Sequence, residues 1–144
     1  MGVEEAIRLR RAVGRLARTL NATATDEGLT PSQASVLATV SVRGPIGVAD
    51  LADVEHLNPT MLSRVLGALY DAGLVERRQN PGDLRAAFYE ATPAGREVHE
   101  RVRAQRAELV LQGIAGLSTA ERTALRDALP ALEALADRVR TARV

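Results

Sequence analysis

Apolar residues recur at every third or fourth position over most of the chain, the period of helices that bury one stripe. Residues 4–23 place Ala6, Leu9, Val13, Leu16, Ala17 and Leu20 on such a stripe. Near the other end, Leu125, Ala128, Leu129, Leu132, Leu135, Ala136 and Val139 form a broader one. Between them, three helix starts carry the same device, a capping side chain followed by proline: Thr30-Pro31, Asn58-Pro59 and Thr92-Pro93. The cap oxygen accepts a first-turn N–H, and proline lacks the N–H that would have no partner there. Thr30 with Gln33, and Ser118 with Glu121, have the spacing of reciprocal capping boxes. Gly44 and Gly73 stand where the helices opened at 31 and 59 would need a left-handed residue to stop. The pattern predicts helices over 31–42, 59–72, 93–115 and 119–141, and a short one, VADLADVE, over 48–55 with Val48, Leu51, Ala52 and Val54 turned inward.

After Gly73 the period changes. LVERRQ, the turn cluster Asn80-Pro81-Gly82-Asp83 and RAAFYEAT read as two short strands and a hairpin loop, the one β signal in the chain. Two helices across a turn at residues 56–58, followed by a hairpin, make the winged form of the helix-turn-helix. The expected fold is mostly α: a winged helix-turn-helix lobe over 31–92 with a two-stranded β-hairpin wing. Helices from 4–23 and 93–144 flank it as a dimerisation bundle. The segment LVLQGIAGL (109–117) is apolar almost all round, which calls for burial from several sides.

Composition narrows the function. The 37 Leu, Ile, Val and Phe residues among 144 exceed the roughly 20% below which chains tend to stay disordered, so one ordinary domain folds without staples. With no cysteine, thiol catalysis, iron–sulfur clusters and Cys-ligated zinc are excluded. No run of about 18 apolar residues exists, and the start mixes acids with arginines, so a cytoplasmic protein with no membrane partner is expected. All 19 basic residues are Arg, beside 25 Ala, a bias that reads as codon usage before it reads as guanidinium chemistry. The net charge is +1, so only local clusters can argue for nucleic acid. Three aromatic residues, Tyr70, Phe88 and Tyr89, are too few for stacking single strands, which leaves duplex DNA as the nucleic-acid partner. No nucleophile–base pair, carboxylate pair or phosphate-cradling glycine loop stands out, so neither an enzyme nor a cofactor is expected. His56, with Asp53 one turn away, and His99 gather no acids around both, and no metal site is expected from them.

On a helical projection of 59–72, Leu62, Val65, Leu66 and Leu69 share one face, while Thr60, Ser63, Arg64, Gly67 and Asp71 lie opposite. A slim polar N-terminal half is what the major groove admits, and Arg64 can bond guanine O6 and N7 together. Such residues also line solvated helix faces in most proteins. The hairpin that follows favours DNA, because its arms hold Arg77, Arg78 and Arg85, placed to track phosphates or enter the minor groove.

The stretch LNPTMLSRVLGALYDAGLVERRQNPGDLRAAFYEATPAGREV resembles the multiple antibiotic resistance regulator (MarR) family. It matches the family pattern Leu-x-x-x-Gly-Leu-Val-x-Arg, then Asp-x-Arg, then Thr-x-x-Gly, through Leu69, Gly73, Leu74, Val75, Arg77, Asp83, Arg85, Thr92 and Gly95. The resemblance implies that Arg85 reaches the minor groove with Asp83 holding it. It also implies a homodimer and usually a repressor, in a family many of whose members are released from DNA by small aromatic or other amphipathic anions. A two-fold dimer reads a pseudo-palindromic operator, with equivalent helices about one turn (roughly 10 bp) apart. Leu84 stands where the family often has a second wing arginine, which shifts weight to Arg77 and Arg78. Pro130 predicts a kink or break near residues 126–130. Arg8, Arg11, Arg15 and Arg18 lie opposite the first helix's apolar stripe as a solvated basic face, whereas Arg10 at its border is the candidate for an effector carboxylate. The rival reading is a winged-helix interaction module that has lost DNA binding, which gives no reason for arginines at both 64 and 85.

Overall fold

Each capping signal opens a helix through its own hydrogen bonds. The computed structural model describes residues 1–80 and 82–143, and of Asn80, Asp83, Leu84 and Arg85 it describes the backbone only. α1 (Val3–Asp26) is followed by α2 (Pro31–Arg43), where Thr30 Oγ1 accepts from Gln33 N at 3.2 Å and Gln33 Oε1 accepts from Thr30 N at 3.1 Å. After α3 (Val48–Glu55), Asn58 Oδ1 accepts from Met61 N at 2.8 Å to start α4 (Pro59–Asp71). Thr92 Oγ1 accepts from Gly95 N at 3.0 Å at the head of α5 (Pro93–Ala115). Ser118 Oγ accepts from Glu121 N at 3.1 Å at the head of α6 (Thr119–Ala142). Hydrogen bonds from Ser118 hold the Glu121 carboxyl below the usual carboxylate range. Such a cap contributes about 1 kcal/mol.

Helix stops divide the two glycines. Gly73 takes φ 74°, with Gly73 N donating to Tyr70 O and Leu74 N to Leu69 O, both at 2.9 Å, the paired bonds of a left-handed helix stop. Gly44 is instead extended, φ −68° and ψ 151°, so the expected left-handed stop is corrected there. What excludes a side chain at Gly44 is crowding, since a Cβ would lie 2.4 Å from Val40 O.

The hairpin strands are β2 (Val75–Asn80) and β3 (Asp83–Ala91), but they do not form a sheet of two. A further strand, β1 (Ile46–Gly47), pairs antiparallel with β3, so the sheet order is β1-β3-β2 and the wing grows from a three-stranded root. Two residues are too few to show a period of two, which is why the pattern missed them. The core lies between this root and α2 to α4: Leu37, Leu51, Leu62 and Leu69 are fully buried, with Val36, Val40 and Val75 beside them.

Contacts divide the chain into two compact units, Met1–Arg106 and Ala107–Val144. In the second unit α6 runs unbroken through Pro130, against the expected break. The helix around Pro130 is exposed, so water can satisfy the Arg126 carbonyl that loses its donor. Leu109, Val110 and Leu111, expected to be buried, are exposed within one chain.

Candidate nucleic-acid interface

α4 carries the clearest division between a packed and an open face. Leu62, Val65, Leu66 and Leu69 are buried, whereas Thr60, Ser63, Arg64, Gly67 and Asp71 are exposed. Thr60 and Arg64 are one helical turn apart, with Ser63 beside them, and Arg64 forms no ion pair among the described residues. Its guanidinium donors are therefore available to an external acceptor.

A tight turn leads into α4. His56 takes the left-handed conformation, φ 53°, and Leu57 N donates to Ala52 O at 3.2 Å, reversing the chain between α3 and α4. This gives His56 a backbone role at the end of α3. Glu55, which the pattern did not single out, accepts from Ser35 Oγ at 2.7 Å and from Thr39 Oγ1, tying α3 to α2. The only sequence signal was the Ser-x-x-x-Thr spacing on α2, which says nothing of its partner.

In the wing, Val75 pairs with Ala91, Glu76 with Glu90, Arg77 with Tyr89 and Arg78 with Phe88. Alternation then puts Arg77 on the face that carries buried Val75 and Ala91, and Arg78 on the other face with Glu76, Phe88 and Glu90. Arg77 is exposed without an ion pair among the described residues, while Arg78 Nη2 is paired with Glu90 Oε1. The two neighbouring arginines thus differ in availability. Asp83 and Arg85 belong to the backbone of β3; their side chains, named above for the minor groove, lie outside the described residues.

Two links join the end of α1 to α5. Arg101 donates to both Glu27 carboxylate oxygens, at 3.1 and 3.2 Å, and this hydrogen-bonded pairing and its charge raise the Arg101 pKa above its ordinary value. Arg106 Nε donates to Leu20 O at 3.3 Å and Thr23 Oγ1 at 3.2 Å. Beside them is a cavity of about 160 Å³, lined by Leu29, Ala34, Leu37 and Val102 with His99, Arg103 and Arg106 at its polar side. Arg10 is exposed and does not line it; it borders an open groove along α1 with Arg8, Arg11, Arg15 and Arg18.

Residues 29–87 match the sequence profile of the MarR family. An HTH-type transcriptional regulator of Mycobacterium tuberculosis is 33% identical over 126 residues, 88% of each chain. One from Mycobacterium leprae is 31% identical over the same coverage. Among solved structures, RV1404 from Mycobacterium tuberculosis superposes with a TM-score of 0.79 at 27% identity, covering 92% of this chain and 93% of that one. A mutant of Staphylococcus aureus MepR bound to an oligodeoxyribonucleotide superposes with a TM-score of 0.70, covering 90% of this chain and 96% of that one; at 16% identity this likeness concerns the fold.

Proposed function

The chain belongs to the MarR family of transcriptional regulators with a DNA-binding winged helix, and from this premise we propose that it is a homodimeric repressor of a pseudo-palindromic operator, released by a small aromatic or amphipathic anion. The observation that carries the DNA reading is the open face of α4, where Thr60, Ser63 and unpaired Arg64 lie together on a helix whose other face is locked in the core. On this reading α4 enters the major groove with Arg64 on a base edge, Arg77 meets phosphate, and the wing's Arg85, steadied by Asp83, takes the minor groove. The second protomer covers the apolar stripes of α1 and α6, and the repressor works in the cytoplasm; no described helix is long and apolar enough to cross a membrane.

Arg64→Ala is expected to cost about 1–3 kcal/mol of operator binding and to relax the preference at one position per half-site. Salt-titrated fluorescence anisotropy on the operator and on a random duplex checks it. An equal loss on both duplexes would make Arg64 a phosphate contact.

The anion reading rests on the cavity beside α5, whose volume suits one benzene-sized ring and whose rim offers three basic side chains. Benzoate is expected to weaken operator binding, and Arg103→Gln, which removes an exposed guanidinium whose described carboxylate partner is Glu100 at 3.5 Å, should blunt that effect. A tenfold release requires about 1.4 kcal/mol of preference for the free form. If Arg10→Gln blunts the benzoate effect and Arg103→Gln does not, the site lies along α1 instead. A DNA isotherm that benzoate leaves unmoved removes the anion as a release signal.

A further inference from the structure

Arg78 lies on the outer face of the wing root between two acids. Glu76 and Glu90 sit directly across from each other on β2 and β3, an unfavourable like-charge pair. The Arg78 guanidinium pairs with Glu90. The Arg78 side chain is 63% exposed and that of Glu90 only 16%, so the arginine caps a carboxylate that has little access to water. For Arg78 to take a DNA phosphate it must leave Glu90, which would then face Glu76 with no described counterion.

We propose that Glu90 holds Arg78 back from DNA, lowering the sequence-independent part of the affinity and leaving the discrimination between sequences to α4 and the wing tip. The inference rests on the DNA-binding reading above. Phosphate contacts dominate non-specific binding, and each neutralised phosphate releases about one counterion. An arginine kept in an internal pair therefore removes about one such contact per wing, and the loss falls on every sequence alike. Overall affinity and its salt dependence fall, while the ratio of operator to bulk-DNA affinity stays the same.

The experiment is salt-titrated binding of the full chain to a random-sequence duplex, with wild type, Glu90→Gln, Arg78→Ala and the double variant. Glu90→Gln should bind on the order of tenfold tighter at low salt, with a log–log salt slope steeper by about one per wing. Glu90→Thr, which suits a strand, should act likewise if the glutamine variant folds poorly. In the Arg78→Ala background the Glu90 substitution should produce no such gain. An unchanged slope in Glu90→Gln, or the same gain with Arg78 absent, overturns the proposal; the latter outcome would mean that only the loss of a negative charge matters. If wild type binds duplex DNA and the Glu90 variants match it, this inference alone falls. If neither wild type nor any variant binds a duplex, the DNA-binding reading falls and takes this one with it.

Discussion

Gly95→Ala is expected to destabilise the first unit by about 3 kcal/mol or more, at or beyond the upper end of overpacking costs, because backbone must move. A Cβ at this position would lie 1.9 Å from Leu74 O, 2.9 Å from Leu74 C and 3.3 Å from Leu37 Cδ1. The carbonyl it meets is held in place. Thr92 N donates to Leu74 O at 3.1 Å, Thr92 Oγ1 donates to Gly73 O at 2.6 Å, and Leu74 N is bonded to Leu69 O. This knot joins the end of α4, both wing strands and the start of α5, so relief at Gly95 displaces the elements that aim the DNA-binding face. Urea unfolding followed by circular dichroism measures the loss. Gly67→Ala is the contrast, since nothing lies within 4 Å of its Cβ and the helix interior should gain about 0.5–1 kcal/mol. Equal midpoints for the two variants would contradict the packing argument.

In the homodimer proposed above, paired substitution of Leu129 and Leu135 by Asp should raise the dissociation constant at least about a thousandfold, equivalent to about 4 kcal/mol. α6 buries none of its residues within a single chain, and Leu129 and Val139 stay 49% and 61% exposed. Leu125, Leu129, Leu135 and Val139 left open along one helix of 24 residues, with Ala128 and Leu132 only half-buried, are more apolar surface than an isolated helix tolerates in water. Covering a leucine is worth about 1.5–3 kcal/mol, and two-fold symmetry counts each substitution twice. Sedimentation velocity reports the change, with far-UV circular dichroism confirming that the helix survives. A variant that remains dimeric with an unchanged constant places the interface on other elements.

The open face of α4 was legible because amphipathicity is a property of spacing along a single element. Leu62, Val65, Leu66 and Leu69 are where the period put them, and Thr60, Ser63 and Arg64 are open as a result. The effector candidate was less legible. Arg10 was singled out by its place at the edge of a stripe, but the structure puts it on an exposed helix surface, and the basic residues around a cavity are His99, Arg103 and Arg106. This half-open cavity lies between α2 and α5, and neither helix carries a mark of the space between them. Arg77 and Arg78 show the same limit at the scale of two residues. Both read as free wing arginines, yet strand alternation sends them to opposite faces, and among the described residues only Arg78 finds a glutamate.

Helix starts at Thr30, Asn58, Thr92 and Ser118 and the stop at Gly73 are local: each depends on bonds spanning three to five residues, so their chemistry is present in a short stretch of residues. Everything that depended on distant segments was left to packing. β1 exists because β3, more than forty residues later, offers an open edge to Ile46 and Gly47. Gly44 has no room for a side chain because a Cβ there would meet Val40 O and the β3 backbone, and α6 passes Pro130 because solvent can serve the orphaned carbonyl. Ser35 and Thr39 meet Glu55 across 20 and 16 residues of chain. Such pairs repay their loop-closure entropy only once several elements have docked together, and no window of sequence shorter than the folded unit contains that condition.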